Sequence, residues 1–157
     1  MDTNGELRFD YGGQTPERLK RQISRLTGMT SAQMSRTAAD ALAPIGARKA
    51  DFVVLAVLDE FGPASQAAIA DRTRIYRSDL VAVLNDLAEG GWIVRAPDPD
   101  DKRRNVITVT DAGRARLAEI EAVLDGVNER IMAPLSSAER AQLFSLLGRV
   151  NAHLAQD

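Results

Sequence analysis

Three adjacent cations, Lys102, Arg103 and Arg104, follow a run of turn-forming residues and precede a short apolar stretch. Lysine and arginine neutralise phosphates, and basic side chains on a protruding hairpin can enter a narrow minor groove. Two further arginines, Arg74 and Arg77, lie at the start of an amphipathic segment. These residue types and their spacing predict contacts with double-stranded DNA.

The acidic residues beside these cations allow a second interpretation. Asp98, Asp100 and Asp101 could hold a cation, but the stretch lacks the later glycine and glutamate of a calcium loop. Aspartates are also common in turns. We therefore interpret them as turn residues and predict that Asp101 supports the hairpin as a partner of Arg103.

The sequence contains no arrangement typical of a catalytic or metal site. There is no cysteine, the only histidine is His153, and no glycine-rich phosphate loop follows a predicted strand. A single histidine without cysteine makes a poor zinc site, and the absence of cysteine excludes disulfides and thiol-based redox sensing. We predict no enzyme activity, no catalytic residue, and neither a metal nor a cofactor.

Two short helices separated by a tight turn are predicted before the basic run. Ser65 is a good N-cap for the first helix, which breaks near residues 72–74. The second begins near Tyr76, and its apolar residues recur at helical spacing. Its inward face is predicted to contain Leu80, Val83, Leu84 and Leu87, and its outward face Tyr76, Arg77, Ser78, Asp79, Val81 and Ala82. This pattern is typical of a helix-turn-helix whose second helix faces a major groove.

A β-hairpin is predicted after the second helix. We expect Gly90 to end that helix in the left-handed conformation. Residues 92–94 and 106–109 read as strands around a turn-rich tip at 96–101, and Trp92 is predicted to lie in the core at the hairpin base. The predicted DNA-binding residues come from both short helices and from the hairpin: Ser65, Gln66, Arg74, Tyr76, Arg77, Ser78, Asp79, Lys102, Arg103 and Arg104.

Longer helices are predicted on the amino-terminal side. Thr15 is a candidate N-cap with Pro16 at the first helical position, and one helix with an apolar face then runs to Pro44 and Gly46. Residues 47–61 have almost no polar face, so they predict a helix buried on most sides.

Two more helices are predicted after the hairpin. Thr110 or Asp111 caps the first, and Ser136 with Glu139 forms a capping box for the last. The last helix has apolar residues at helical spacing: Leu143, Leu146, Leu147, Val150 and Leu154. An exposed apolar stripe on a terminal helix needs a partner.

Composition sets the outer limits of this interpretation. The 157 residues, 45% of them apolar, suit one compact domain or a small domain with dimerising extensions. The net charge of −2 means that a nucleic-acid role depends on a local basic patch. Residues 1–14 are polar and predict a mobile tail rather than a secretory signal, and no apolar run approaches the roughly 20 residues of a membrane span. We expect a cytoplasmic protein without a membrane partner.

Several short motifs resemble, in order and separation, the winged helix-turn-helix of the MarR transcriptional regulators. They are Arg77-Ser78, Gly91-Trp92, Asp101-Lys102-Arg103 and the run from Val109 to Gly113. The resemblance covers about Thr15 to the end of the chain. It implies a mainly α (α+β) fold, with a winged helix-turn-helix lobe at 47–110 that includes a small β-hairpin wing. It further implies a helical dimerisation region formed by 15–46 and 111–157.

The resemblance also implies a function. The chain would be a ligand-responsive transcriptional regulator, a repressor, acting as a homodimer on a pseudo-palindromic operator. Arg77 and Ser78 would read the major groove while Arg103 enters the flanking minor groove. The effector would be a small aromatic or phenolic molecule, although its binding residues are not predicted.

Two residues depart from the family pattern. Members often have a threonine where this chain has Asp79, and an arginine or another polar residue where it has Ala82. Asp79 cannot approach phosphates at low cost, although it could accept from a cytosine amino group or orient Arg77 or Arg74. These departures leave an alternative function: a winged-helix protein-interaction module, or a degenerate regulator without specific DNA binding.

Overall fold

The computed structural model describes residues 15–156, so the tail predicted over residues 1–14 lies outside the described part. The elements follow in the order α1 (Glu17–Lys20), α2 (Ile23–Leu42), a 3₁₀ turn (Ala43–Ile45), α3 (Lys49–Phe61), α4 (Gln66–Thr73), α5 (Arg77–Glu89), β1 (Ile93–Pro97), β2 (Asn105–Val109), α6 (Asp111–Met132) and α7 (Ser137–Leu154). The predicted mainly α fold with one small hairpin is confirmed. The described residues divide into two compact units, one that ends at Asp40 and one that begins at Ala41, and the second unit contains the candidate site.

The first predicted helix begins later than expected and is interrupted. Pro16 is extended, with φ −55° and ψ 139°, so the predicted cap at Thr15 is wrong and Pro16 occupies the cap position. The break between α1 and α2 divides the predicted long helix in two. Its end is confirmed, because Gly46 takes the left-handed conformation with φ 62° after the 3₁₀ turn.

Helix α3 is central to the second unit. It starts at Lys49 rather than at residue 47, because Arg48 is extended and its backbone N–H donates to Asp51 Oδ2 at 2.8 Å. It ends at Phe61, and Gly62 follows with φ 79°. The largest fully buried side chains of this unit come from almost every element: Leu42, Val54, Leu55, Leu58, Ile69, Leu80, Leu84, Leu87, Ile93, Ile107 and Ile120. Their burial fixes α4, α5 and the hairpin around α3.

The hairpin is antiparallel, with a register from Ile93 opposite Val109 to Pro97 opposite Asn105. Strand β1 therefore includes part of the predicted tip, and the connecting segment is shortened to residues 98–104. An isolated bridge also joins β2 to the start of α4. Ile107 donates to the Ala64 carbonyl at 2.9 Å, and Ala64 donates back at 3.1 Å. The hairpin is thereby held beside the N-cap of α4.

The joint between α5 and β1 corrects the glycine prediction. Gly90 has a right-handed helical conformation, and Gly91 adopts φ 73° instead. Trp92 N–H then donates to the Leu87 carbonyl at 3.0 Å. A side chain on Gly90 would meet the Trp92 ring at 2.7 Å, so close packing, rather than a positive φ, requires a glycine there.

Both predicted caps of the last two helices are confirmed. Thr110 Oγ1 accepts from Gly113 N–H at 2.9 Å, and Ser136 and Glu139 form the reciprocal capping box. The backbone hydrogen bond from Ser136 lowers the pKa of Glu139. Within residues 15–156, no helix combines the length and apolar character required to cross a membrane.

Candidate nucleic-acid interface

Helix α5 has the predicted division into two faces. Leu80, Val83, Leu84 and Leu87 are buried. All predicted outward residues from Tyr76 to Ala82 are exposed, and Tyr76 is 80% exposed. The amino-terminal half of α5 therefore presents a polar and small-residue surface that a groove could accept.

The turn between α4 and α5 is fixed by local hydrogen bonds. Thr73 Oγ1 donates to the Ile69 carbonyl at 2.8 Å and accepts from Ile75 N–H at 3.3 Å. Arg74 is the only described non-glycine residue with a positive φ, 55°. Such a conformation costs about 1 kcal/mol or more, and strained positions of this kind cluster at functional sites. The turn leaves the Arg74 side chain exposed beside the start of α5.

The two site residues predicted at the start of α4 are less available. Ser65 caps α4, and its Oγ accepts from Ala68 N–H at 3.2 Å. Gln66 is the first residue of the helix and is half-buried. The Ser65 hydroxyl hydrogen is still free to be donated, so Ser65 could bind a phosphate only as a donor.

The hairpin tip is held by its own aspartates. Asp98 Oδ1 accepts from Asp100 N–H at 2.9 Å, and Asp101 Oδ1 accepts from Arg103 N–H at 3.1 Å. Asp101 Oδ2 lies 4.0 Å from Arg104 Nε. Asp101 thus contacts the backbone of Arg103, while its ion pair is with Arg104. Among the described residues, no group of three or more acidic, histidine or cysteine side chains could hold a metal ion.

Four of the five cations predicted to bind DNA lack an ion-pair partner among the described residues, and the fifth is Arg104. Within residues 15–156, Arg74, Arg77, Lys102 and Arg103 make no ion pair, and all four are exposed. Four arginines elsewhere in the chain are paired, whereas Arg130 on α6 is exposed and makes no ion pair among the described residues. The paired ones are Arg48 with Asp51 and Asp86, Arg114 with Asp59 and Asp111, Arg116 with Glu119, and Arg140 with Glu129. An unpaired exposed cation can exchange bound counterions for phosphate without first breaking an internal contact.

Two acidic residues of α5, Asp79 and Asp86, differ in their partners. Asp79 is exposed and accepts from Ser78 Oγ at 3.3 Å, whereas Asp86 is bound by Arg48 Nη2 at 2.8 Å. Asp79 thus has no cation partner among the described residues. It is the one acidic group in the first turn of α5.

Comparison with known proteins identifies the family of this fold. A sequence model of the MarR family matches residues 48–104. The chain is 41% identical over 86 residues to a putative transcriptional regulatory protein for the hcr operon of Thauera aromatica. It is 31% identical to the HTH-type transcriptional regulator YkoM of Bacillus subtilis, over 69% of this chain and 70% of YkoM.

The chain belongs to the MarR family. A solved structure of the transcriptional repressor CouR bound to a 23-mer DNA duplex superposes with a TM-score of 0.79 and 27% identity, covering 86% of this chain and 96% of CouR. The match to the Thauera protein covers 55% of this chain and 52% of that protein, so the chain spans about half of that relative.

Two arginines that sequence analysis did not place in the site hold α5 in this MarR-family lobe. Arg48 Nη2 contacts Asp51 Oδ1 at 3.1 Å and Asp86 Oδ2 at 2.8 Å, and these hydrogen bonds and charges, mainly those of Asp51, raise the pKa of Arg48. Arg95 Nη2 donates to Asn85 Oδ1 at 2.9 Å. Neither pair is signalled locally, because its members are 38 and 10 residues apart.

A third arginine joins the wing base to the end of the 3₁₀ turn. Arg116 lies over the Trp92 ring at 4.6 Å and donates to the Ile45 carbonyl at 2.6 Å. Its side chain is only 10% exposed. Trp92 is half-buried and packs against the core, as predicted for the hairpin base.

Proposed function

We propose that this MarR-family regulator is a DNA-binding repressor that acts as a homodimer on a pseudo-palindromic operator. Helix α5 enters the major groove with Arg77 and Ser78, and the hairpin places Arg103 in the adjacent minor groove. Arg74, Tyr76, Lys102 and Arg104 contact the flanking backbone. The observation that supports this proposal is the presence of four exposed cations without an ion pair in the described chain, at the turn before α5, at the start of α5 and at the hairpin tip: Arg74, Arg77, Lys102 and Arg103.

The proposal assigns residues 47–110 to DNA binding and residues 15–46 and 111–157 to dimerisation. Helix α7 supports the second assignment, since none of its 18 residues is buried within one chain. Its exposed apolar side chains include Phe144, Leu146, Leu147, Val150 and Leu154. A second copy covering this face would bring two α5 helices onto one duplex, about one DNA turn apart.

We expect Leu147→Glu to shift the protein from dimer towards monomer. Leu147 and Val150 lie on one side of α7 at helical spacing, and a charge buried there would be costly. Sedimentation equilibrium should give twice 17.0 kDa for the unaltered chain and a lower average mass for the variant. Ser145→Glu, on the opposite side of α7, is the matched control and should remain dimeric. If all three proteins have the mass of a dimer, the dimer interface lies elsewhere.

The proposed ligand response is a shift between two dimer states. A small aromatic or phenolic effector, as the family resemblance implies, would release DNA only if it bound the two states with different affinities. Titration of the protein–operator complex with simple phenolic acids would detect that difference as a rise in the DNA dissociation constant.

We expect Arg103→Ala to weaken operator binding about tenfold and to lower the salt slope by about one. The loss follows from removing one unpaired cation from the hairpin. Gel shifts on the DNA upstream of the chain's own gene, at two salt concentrations, measure both quantities. Arg130→Ala, an exposed α6 arginine without an ion pair in the described chain, removes the same charge and should bind normally.

Two results of this experiment would overturn the proposal. Equal binding by the unaltered protein and Arg103→Ala would remove the hairpin from the interface. Binding at background level by both proteins at low salt would favour the alternative of a protein-interaction module, an alternative that the acidic residue in the first turn of α5, Asp79, supports.

A further inference from the structure

The hydrogen bond between Asn85 and Arg95 joins the two elements that are proposed to bind DNA. Asn85 lies in the third turn of α5, and Arg95 lies in the middle of β1. Both residues are exposed, and Arg95 Nη2 donates to Asn85 Oδ1 at 2.9 Å. Aside from this bond, neither side chain has a hydrogen bond or ion pair within the described chain.

The position of Arg95 in β1 explains why its side chain lies on the face of the strand that meets α5. Residues two apart in a strand share a face, so Arg95 lies on the same face of β1 as Ile93. Ile93 is buried in the core beneath α5, whereas Arg95 extends past the edge of that core to the helix. The charged end of an arginine gains nothing from apolar burial, and the bond to Asn85 is the hydrogen bond that the Arg95 side chain makes within the described chain.

We propose that Asn85 and Arg95 form a clasp that fixes the hairpin relative to α5, and that both are positioning residues for DNA binding. The clasp sets the separation between the side chains in the major groove and Arg103 in the minor groove. Arg48, the N-cap residue of α3, binds the neighbouring Asp86 at 2.8 Å, so α5 is joined both to the start of α3 and to the hairpin. This inference depends on the proposed DNA-binding function.

A mobile hairpin would have to be ordered when DNA binds, and that ordering reduces affinity. A preformed clasp removes the free-energy cost of ordering the hairpin, although neither of its residues contacts DNA. It therefore predicts that Asn85 and Arg95 act as a unit, and that neither contributes to the salt dependence of binding.

A double-mutant cycle tests the clasp on DNA. Asn85→Ala and Arg95→Ala should each weaken operator binding about fivefold, and the double variant should be no weaker than either single variant. The salt slope should stay unchanged in all three. Asn105→Ala, an exposed hairpin asparagine outside the clasp, is the matched control and should bind normally.

Different outcomes would overturn the clasp. If Arg95→Ala lowers the salt slope by about one and Asn85→Ala binds normally, Arg95 contacts a phosphate directly. Additive losses in the double variant would mean that the two residues act separately. Normal binding by both single variants would mean that the hydrogen bond does not position the hairpin.

Hydrogen exchange without DNA tests the clasp independently of the proposed function. Amides of residues 93–109 should exchange about fivefold faster in both Asn85→Ala and Arg95→Ala, while those of α3 keep their protection. Unchanged exchange in the hairpin would overturn the clasp even if DNA binding is confirmed. Faster exchange in a protein that binds no DNA would support the clasp while the proposed function fails.

Discussion

Gly113→Ala is expected to lower the free energy of unfolding by about 3 kcal/mol, the upper range for overpacking a close contact. A Cβ on Gly113 would lie 2.7 Å from Val109 Cγ2 and 3.0 Å from the Trp92 carbonyl carbon, and closer still to the Trp92 carbonyl oxygen. That oxygen accepts from Thr110 N–H at 3.0 Å. The backbone therefore cannot move away without breaking the joint between the hairpin and α6. Chemical denaturation followed by circular dichroism measures the loss.

Gly126→Ala is the matched control, because Gly126 lies in the same helix and, apart from its chain neighbours and the helix backbone around it, no described atom would come within 4 Å of its Cβ. Replacing an exposed helical glycine by alanine stabilises a helix by up to about 1 kcal/mol. The two alanine variants should thus shift the denaturation midpoint in opposite directions. Equal midpoints would mean that α6 does not approach the hairpin base as closely as the structure has it.

The position of Gly113 explains physically why a glycine ends a motif that the sequence shares with the MarR family. The glycine closes the run from Val109 to Gly113 because the first turn of α6 packs directly against the backbone at Trp92. Its N–H also completes the Thr110 cap. A resemblance can mark such a glycine, but the contact partner is 21 residues away and is visible only in the folded chain.

Features encoded by neighbouring residues were predicted well from the sequence. The inward face of α5, the Ser65, Thr110 and Ser136 caps and the hairpin strands each depend on side chains a few positions apart. Hydrophobic spacing and capping chemistry determine them locally.

Features that depend on distant residues were not predicted. The bridge from Ala64 to Ile107 and the contacts of Arg48 with Asp86 and of Arg95 with Asn85 have no local signal. Two local backbone conformations were also predicted at the wrong residue, because two neighbouring residues could each have adopted them. Gly91 rather than Gly90 has the positive φ, and Pro16 rather than Thr15 occupies the cap of α1.

The charge pattern of α5 combines two opposing effects. Arg77 is unpaired and attracts phosphates, while Asp79, two residues later, is exposed and repels them. Asp86 does not add to this repulsion to the same extent, because Arg48 binds it at 2.8 Å. Asp79 is therefore the acidic group in the first turn of α5 that should reduce binding to DNA of any sequence. This reduction would favour the operator, where base contacts offset the repulsion.

Asp79→Arg is expected to increase binding to non-operator duplex DNA by about tenfold to a hundredfold at low salt, and to make the salt slope steeper by about one. The substitution removes a repulsive charge and adds a cation on the exposed face of the helix that we propose to bind DNA. Operator binding should rise less, because the added phosphate contact carries no sequence information. The ratio of operator to non-operator affinity should consequently fall. Fluorescence anisotropy with both duplexes at several salt concentrations measures all three quantities.

Asp125→Arg is the matched control, since it makes the same change in net charge at an exposed position on α6. It should leave the affinity ratio unchanged. An equal effect of both substitutions would mean that net charge, rather than the position of Asp79, governs binding. A loss of operator affinity with Asp79→Arg would instead indicate that Asp79 accepts from a cytosine amino group or orients Arg77. Removing such a contact would then cost more binding free energy than the removal of the repulsion contributes.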